Sequence, residues 1–389
     1  MNRRQRAALL HARFMAAYGE APTVWVQAPG RVDLMGSHTD YNQGHVLTMT
    51  IDRDTWIAAR PRQDRQIRIS SLNVDSGATF EVDNLTRHGG APWTNYVKGV
   101  AAVCQAQGLP VQGFDGLVHS TVPFSSGLSS SAALEVAIAT VFRVLGHWTI
   151  EPVQLALLCQ QAENEFVGVN CGVLDQYTSA LGQAGHAVLL DCRDLTSRAA
   201  GINASVTIVI CDTRARRQLS GSEYPERRAQ CEHGAAILRR RYPTVRALRD
   251  VSAVQLDACA GELPELIMKR CRFIVEEEHR VATLATALEA NDWSSVATLT
   301  AASYLGARDL YQIGTDHMES MMHAMRGGPG VIGARQAGAG FGGCMVAFVD
   351  TVHVPAFMRH VKRAYLASTN TSPSVFPVQP APGAGPLYV

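Results

Sequence analysis

The stretch from Phe124 to Gly146, FSSGLSSSAALEVAIATVFRVLG, constrains this chain more than any other segment. A loop of glycine and serine runs directly into an apolar helix. Small residues at a helix start let backbone N–H groups approach an anion, and the helix dipole with its unsatisfied first-turn donors favours phosphate there. Ser125, Ser126, Gly127, Leu128, Ser129, Ser130 and Ser131 form this candidate cradle, with hydroxyls that can donate or ligate magnesium. The same residues also suit a Gly/Ser turn or an N-cap. The loop alone leaves both readings open. No G-x-x-x-x-G-K-S/T occurs in the chain, so the lysine of a Walker loop plays no part.

Three further segments are rich in chemistry. GRVDLMGSHTDYN crowds Arg31, Asp33, His38 and Asp40 among glycines after a short apolar run. GARQAGAGFGGC (Gly333 to Cys344) precedes an apolar strand; its glycines permit close backbone approach or positive φ, though taken alone the segment reads better as a tight packing crossover. It holds no G-x-G-x-x-G between a strand and a helix, which argues against a dinucleotide site. In NCGVLDQYTSALGQ, Asp175 follows an apolar pair and precedes a helical run. Spacing fits an N-cap as well as a carboxylate held beside a reacting hydroxyl.

A chain of 389 residues suits two domains sharing an interface. A net charge of +1 gives no electrostatic footprint for nucleic acid or an anionic membrane. The basic N-terminus, MNRRQRAALLHARF, reads as an amphipathic helix, and no apolar run is long enough to span a bilayer. The scattered cysteines, with no C-x-x-C, point to free thiols in a reducing compartment, the cytosol, and away from structural zinc. Val24 to Ala28 reads as a strand ended by Pro29-Gly30, and β-rich patterns follow through residue 85. Residues 93–108 read as a helix, and most of 220–325 is helical in pattern. The whole reads as two α+β domains, 1–190 and 191–389.

Six segments in this order, APGRVDLMGSHTDYNQGHVL, WTNYVKGV, GLSSSAALEVA, CQQAENEFVGVNCGVLDQ, SEYPERRAQCE and GARQAGAGFGGC, closely resemble the galactokinase branch of the GHMP small-molecule kinases. The resemblance implies a two-domain α+β fold, with a ribosomal-S5-like N-terminal domain, a ferredoxin-like C-terminal domain and the active site between them. It implies ATP-dependent phosphorylation of a sugar at its anomeric hydroxyl, with Mg²⁺ as cofactor. By matched position, residues 125–131 cradle the ATP phosphates, and Ser131 and Glu163 hold the metal. Asp175 matches the catalytic carboxylate and Arg31 its basic partner. His38, Asp40, Gly172 and Tyr224 match positions that contact the sugar, and Asp33 and Ser37 stand beside them. The implied partner is a small sugar, with no nucleic acid and no membrane, bound by a monomer or weak homo-oligomer.

The chain departs from that pattern at three places. Members usually carry Glu where this chain has Ser37, Asn where it has Asp33, and Gly where it has Ser125. In the family the Glu contacts the C6 end of the sugar. A serine there relieves the repulsion a glutamate exerts on a C6 carboxylate and offers a donor to it. Galacturonate, or another C6-modified or pentose sugar, is therefore the alternative to galactose. A catalytically silent sugar sensor ranks below both, because Arg31, Glu163, Asp175 and the serine loop are all present.

Overall fold

The computed structural model describes residues 1–87, 89–124, 126–215 and 223–389. The first half contains α1 (Arg3–Tyr18), β1 (Val24–Met35), β2 (His45–Pro61), β3 (Gln66–Ser71), β4 (Ser76–Glu81), α2 (Thr94–Ala106), β5 (Phe114–Ser120), α3 (Ser130–Leu145), α4 (Pro152–Gln161), α5 (Leu174–Leu181), β6 (His186–Asp191) and β7 (Ser197–Gly201). Its sheet runs β4-β3-β5-β2-β1, all antiparallel except the β3–β5 pair, and β6 pairs with β2 and with β7. The second half contains β8 (Val206–Asp212), α6 (Glu223–Arg241), α7 (Ala253–Ala258), α8 (Glu265–Ala290), α9 (Trp293–Asp309), α10 (Asp316–Arg326), β9 (Val331–Gln336), β10 (Cys344–Asp350), α11 (Val354–Thr369), β11 (Ser374–Val378) and β12 (Gly385–Pro386). Here an antiparallel sheet is ordered β11-β8-β10-β9, while β12 returns to pair with β1 in the first sheet.

The helix ends follow their capping residues. Asn2 accepts from the Gln5 N–H while the Gln5 side chain accepts from Asn2, and left-handed Gly19 closes α1. Strand β1 runs beyond the stop expected at Pro29-Gly30 and continues to Met35. Its register against β2 shifts between Pro29 and Arg31. A bulge there needs no ladder donor, so the missing N–H of proline costs little. Gly30 is required on other grounds: a Cβ would stand 2.7 Å from the Leu128 carbonyl oxygen. The Gly/Ser loop thus crosses directly over the strand, and the Arg31 N–H donates to Leu128 O at 3.2 Å.

Helices α2, α3 and α4 cover one face of the first sheet, where Val100, Val136, Ile138 and Phe142 pack on Val26, Ile57 and Phe114. A second core joins the halves. Val32, Leu34, Met49 and Ile51 meet Ile208, Ile210, Val346 and Phe348 of the second sheet and Leu284 and Leu288 of α8. Among the described residues no helix is long and apolar enough to cross a membrane. No disulfide joins any of the nine cysteines.

An ion cluster fastens the same junction. The His45 ring bonds Glu278 of α8 through Nδ1 at 2.6 Å and faces Asp191 through Nε2 at 3.3 Å. Arg249 holds both oxygens of Asp191. The Glu278 bond raises the His45 pKa above its ordinary value against the opposing effect of burial. Protonated His45 is therefore favoured in the native state. Its contribution is full below the unfolded value of about 6.5 and fades as pH rises through the raised native value. The stability difference between wild type and His45→Asn, measured by urea unfolding from pH 5.5 to 8.5, is expected to be largest at the acid end. A difference that grows with pH contradicts this latch.

Candidate active site

Strand β1, the Gly/Ser loop and α5 meet around Asp175. Val173 is the N-cap of α5 and makes no side-chain cap bond, so Asp175 lies one residue inside the helix and is not its cap. Its carboxylate instead faces Arg31. Arg31 Nε donates to Oδ1 at 2.7 Å and Nη2 to the same oxygen at 2.5 Å, while Nη1 donates to Gly127 O at 2.7 Å. The Ser129 hydroxyl donates to Asp175 Oδ2 at 2.5 Å. Ser129 takes a left-handed φ of 57° at the N-cap of α3 and makes no cap bond with its side chain. The first-turn N–H groups of this 16-residue helix therefore have no intrahelical partner and no side-chain cap. Asp175 remains a quarter exposed, beside Arg31 at 7%.

Ser126 Oγ donates to Pro123 O at 2.9 Å, and Leu128 is fully buried as the anchor of the loop. Ser125 lies outside the described residues. Ser130 and Ser131 open α3, and the Ser131 hydroxyl acts on the Glu163 carboxyl, holding its pKa down against burial. Glu163 sits in a π-helical turn, Ala162–Val167, a form of helix that recurs at functional positions. Burial raises its carboxyl pKa, and the nearby Asp175 charge adds to the rise. Gln176 Nε2 bridges Glu163 Oε2 at 2.7 Å and Glu135 Oε2 at 2.9 Å. Glu135 is wholly buried, and its carboxyl pKa is pushed well above the usual range by burial and by Glu163. This acidic group, with a serine hydroxyl beside Glu163, is a hard-oxygen setting that suits Mg²⁺ completed by waters and phosphates.

The loop after β1 forms the other wall. Asp40 lies against Gly172, where a Cβ would overlap Asp40 Oδ2. Burial pushes the Asp40 carboxyl up to about 6, with Asp175 and Asp33 acting in the same direction. The His38 ring is committed at both nitrogens, to Tyr41 Oη at 2.8 Å and to Ala339 O at 2.9 Å. Burial lowers its pKa to about 4, so the ring is neutral; Nε2 carries the proton to the carbonyl and Nδ1 accepts from Tyr41. The Tyr224 ring packs on His38 at 5.3 Å and edge-on to Tyr41 at 5.4 Å. Asp40 and Asp175 both act on its hydroxyl electrostatically. Ser37 and Asp33 are buried together, 2.8 Å apart through the serine hydroxyl. Arg335, Glu277, Glu135 and Gln176 escaped the sequence reading. Only Glu135, a lone acid in an apolar helix, carried a local signal; the others are brought in by tertiary contact.

Residues 12–61 match the galactokinase galactose-binding signature, and residues 95–183 match the GHMP kinase N-terminal domain. The chain is 43% identical to a galactokinase of Roseiflexus sp. (strain RS-1), covering 97% of this chain and 96% of that one. It is 41% identical to a galactokinase of Chloroflexus aurantiacus over 92% of each. The structure superposes on Lactococcus lactis galactokinase complexed with galactose with a TM-score of 0.93 and 31% identity, covering 98% of this chain and 100% of that one. The chain belongs to the galactokinase branch of the GHMP kinases. It therefore has the α+β GHMP kinase fold and is a sugar kinase, a phosphotransferase. A mevalonate kinase at 16% identity and a TM-score of 0.61 shares the fold alone.

For this kinase the Arg31 contacts set a strict requirement. A lysine keeps the charge but cannot donate to Asp175 twice and to Gly127 O at once. Arg31→Lys is expected to lower kcat on the order of 10²-fold with little change in melting temperature. Steady-state kinetics beside a thermal melt checks this; near-wild-type kcat excludes the role.

Proposed function

We propose that this kinase transfers the γ-phosphoryl group of ATP to the anomeric hydroxyl of galactose or a close analogue. The observation that carries the reading is Asp175, fixed by Arg31 and Ser129 beside the open N-terminus of α3. Phosphoryl transfer asks chiefly for positioning and charge neutralisation, and the site is organised for both. Asp175 orients the anomeric O–H and takes its proton as the sugar oxygen bonds to phosphorus and the bond to the ADP oxygen breaks. Arg31 steadies that carboxylate and balances charge as the phosphoryl group moves.

The N–H groups of the 126–131 segment receive the phosphates; Ser125, the first residue of the same motif, lies outside the described residues. Ser131 and Glu163 would hold Mg²⁺, which when bound neutralises charge on the phosphate oxygens. Gln176 keeps Glu163 in place. Asp40 accepts from two neighbouring ring hydroxyls, since a carboxylate offers two acceptor oxygens. Gly172 leaves room for Asp40, and Tyr224 closes that side. His38 supports the loop through its ring, and Ser37 with Asp33 lies at the C6 end of the sugar. Nine cysteines without a disulfide fit a reducing cytosol.

Asp175→Asn is expected to lower kcat at least on the order of 10²-fold while the variant folds and binds galactose. The test is a kinase assay across galactose, galacturonate, arabinose, fucose and glucose, with the 1-phosphate identified in the product. Wild-type-like turnover by Asp175→Asn would sink the assignment. Because Asp40 must be ionised to accept hydroxyls, kcat/KM for galactose is expected to fall as pH drops through about 6. A profile flat from pH 5 to 7 removes Asp40 from sugar binding.

A further inference from the structure

Behind Ser37 stands a buried polar cluster drawn from both halves of the molecule. Arg335 of β9 and Glu277 of α8 are 0% exposed, Asp33 is 2% and Ser37 is 3%. Arg335 Nη2 donates to Ser37 Oγ at 3.0 Å and to Glu277 Oε1 at 3.2 Å, and its Nε donates to Ser303 Oγ at 3.0 Å. Glu277 also accepts from Arg280 at 2.8 Å. The cluster pairs two carboxylates with two guanidinium groups and has no net charge.

The direction of the Ser37 hydroxyl follows. Its proton goes to Asp33 Oδ2 at 2.8 Å, since a carboxylate only accepts. One of its lone pairs is taken by Arg335. One lone pair remains, so Ser37 can accept from a ligand but has no proton to offer. This reverses the role expected from the sequence, in which the serine donates to a C6 carboxylate. The Asp33 carboxylate directly behind adds repulsion, and Arg335 faces it with Nη1 at 3.9 Å from Oδ1. Neither of those two atoms has a hydrogen-bond partner among the described residues.

We infer that Asp33 and Arg335 are specificity-determining residues, which fix the Ser37 hydroxyl so that the sugar site takes a hydrogen-bond donor, a neutral hydroxyl, and rejects a carboxylate. The inference rests on the reading above that Ser37 meets the C6 end of the sugar. Asp33→Asn removes the negative charge and lets an amide donate to Ser37, which frees the serine proton for a ligand. Arg335→Lys keeps the charge but loses the geometry that holds Ser37.

The experiment measures kcat/KM for galactose, 6-deoxygalactose and galacturonate with wild type, Asp33→Asn and Arg335→Lys, with the 1-phosphate identified. Wild type is expected to prefer galactose several-fold over 6-deoxygalactose and to leave galacturonate essentially untouched. Asp33→Asn is expected to raise the galacturonate-to-galactose ratio at least tenfold. Arg335→Lys is expected to bring galactose and 6-deoxygalactose closer together. Loss of all three activities by one common factor in Asp33→Asn marks a structural role only and overturns the inference. Wild-type turnover of galacturonate equal to that of galactose also overturns it, yet leaves the kinase assignment standing. Wild-type inactivity on all three sugars with ATP refutes the sugar assignment itself, and the inference falls with it.

Discussion

Every residue of β1 from Pro29 to Met35 is buried, and two of them carry charge. Taking an ion out of water costs several kcal/mol unless a partner and further hydrogen bonds replace the solvent. The strand can therefore occupy the centre of the molecule only if the fold brings a counter-charge to each. Arg31 and Asp33 are two residues apart and share a face of the strand. Asp175 arrives from α5 for the first, and Arg335 from β9 for the second. The burial of one short strand thus specifies where two distant segments must end.

That requirement also makes β1 the seam of the molecule. Asp175 belongs to the half that carries the first sheet, whereas Arg335 and Glu277 belong to the other. Glu277 reaches back to the Gly36 N–H at 3.3 Å, so the loop after β1 is held from the far side as well. The apolar residues that alternate with the charges, Val32 and Leu34, pack into the core shared by both sheets. Apolar and polar faces of the same strand therefore bind the two halves, and a site placed on it inherits their relative position.

What was legible in the sequence was local. The apolar helix behind FSSGLSSSA, the strands of 45–81 and the helical 220–325 region follow from periodicity and caps. Short range also misled. Pro29-Gly30 reads as a stop, but tertiary pairing with β2 carries the strand past it, and the glycine serves the crossing loop instead. Spacing leaves Asp175 open between a cap and a site carboxylate; the structure starts the helix before it and brings to it Arg31, 144 residues away. Arg335 sits in a glycine-rich segment whose one visible signal was backbone freedom, and its chemistry appears only when Ser37, 298 residues away, is beside it. The contacts that set the protons and orientation of Arg31, Asp175 and Ser37 are long-range.

The neutral His38 connects the two ends of the site. A buried imidazolium here would need a carboxylate partner, but the ring meets Tyr41, Tyr224 and Tyr311, and burial keeps it uncharged. Tyr311 bonds Tyr41 at 2.7 Å, Tyr41 bonds His38, and His38 donates to the carbonyl of Ala339 in the glycine-rich loop. That loop lies against the Gly/Ser loop, since a Cβ on Gly338 would stand 3.9 Å from Gly127 O. Gly127 O in turn accepts from Arg31, which holds Asp175. The loop after β1, the Gly/Ser loop and the Asp175 carboxylate are thus referenced to one another through hydrogen bonds, one close backbone approach and one ion pair. For a reaction whose rate depends on the separation and alignment of two bound substrates, that chain of contacts matters more than any single group within it.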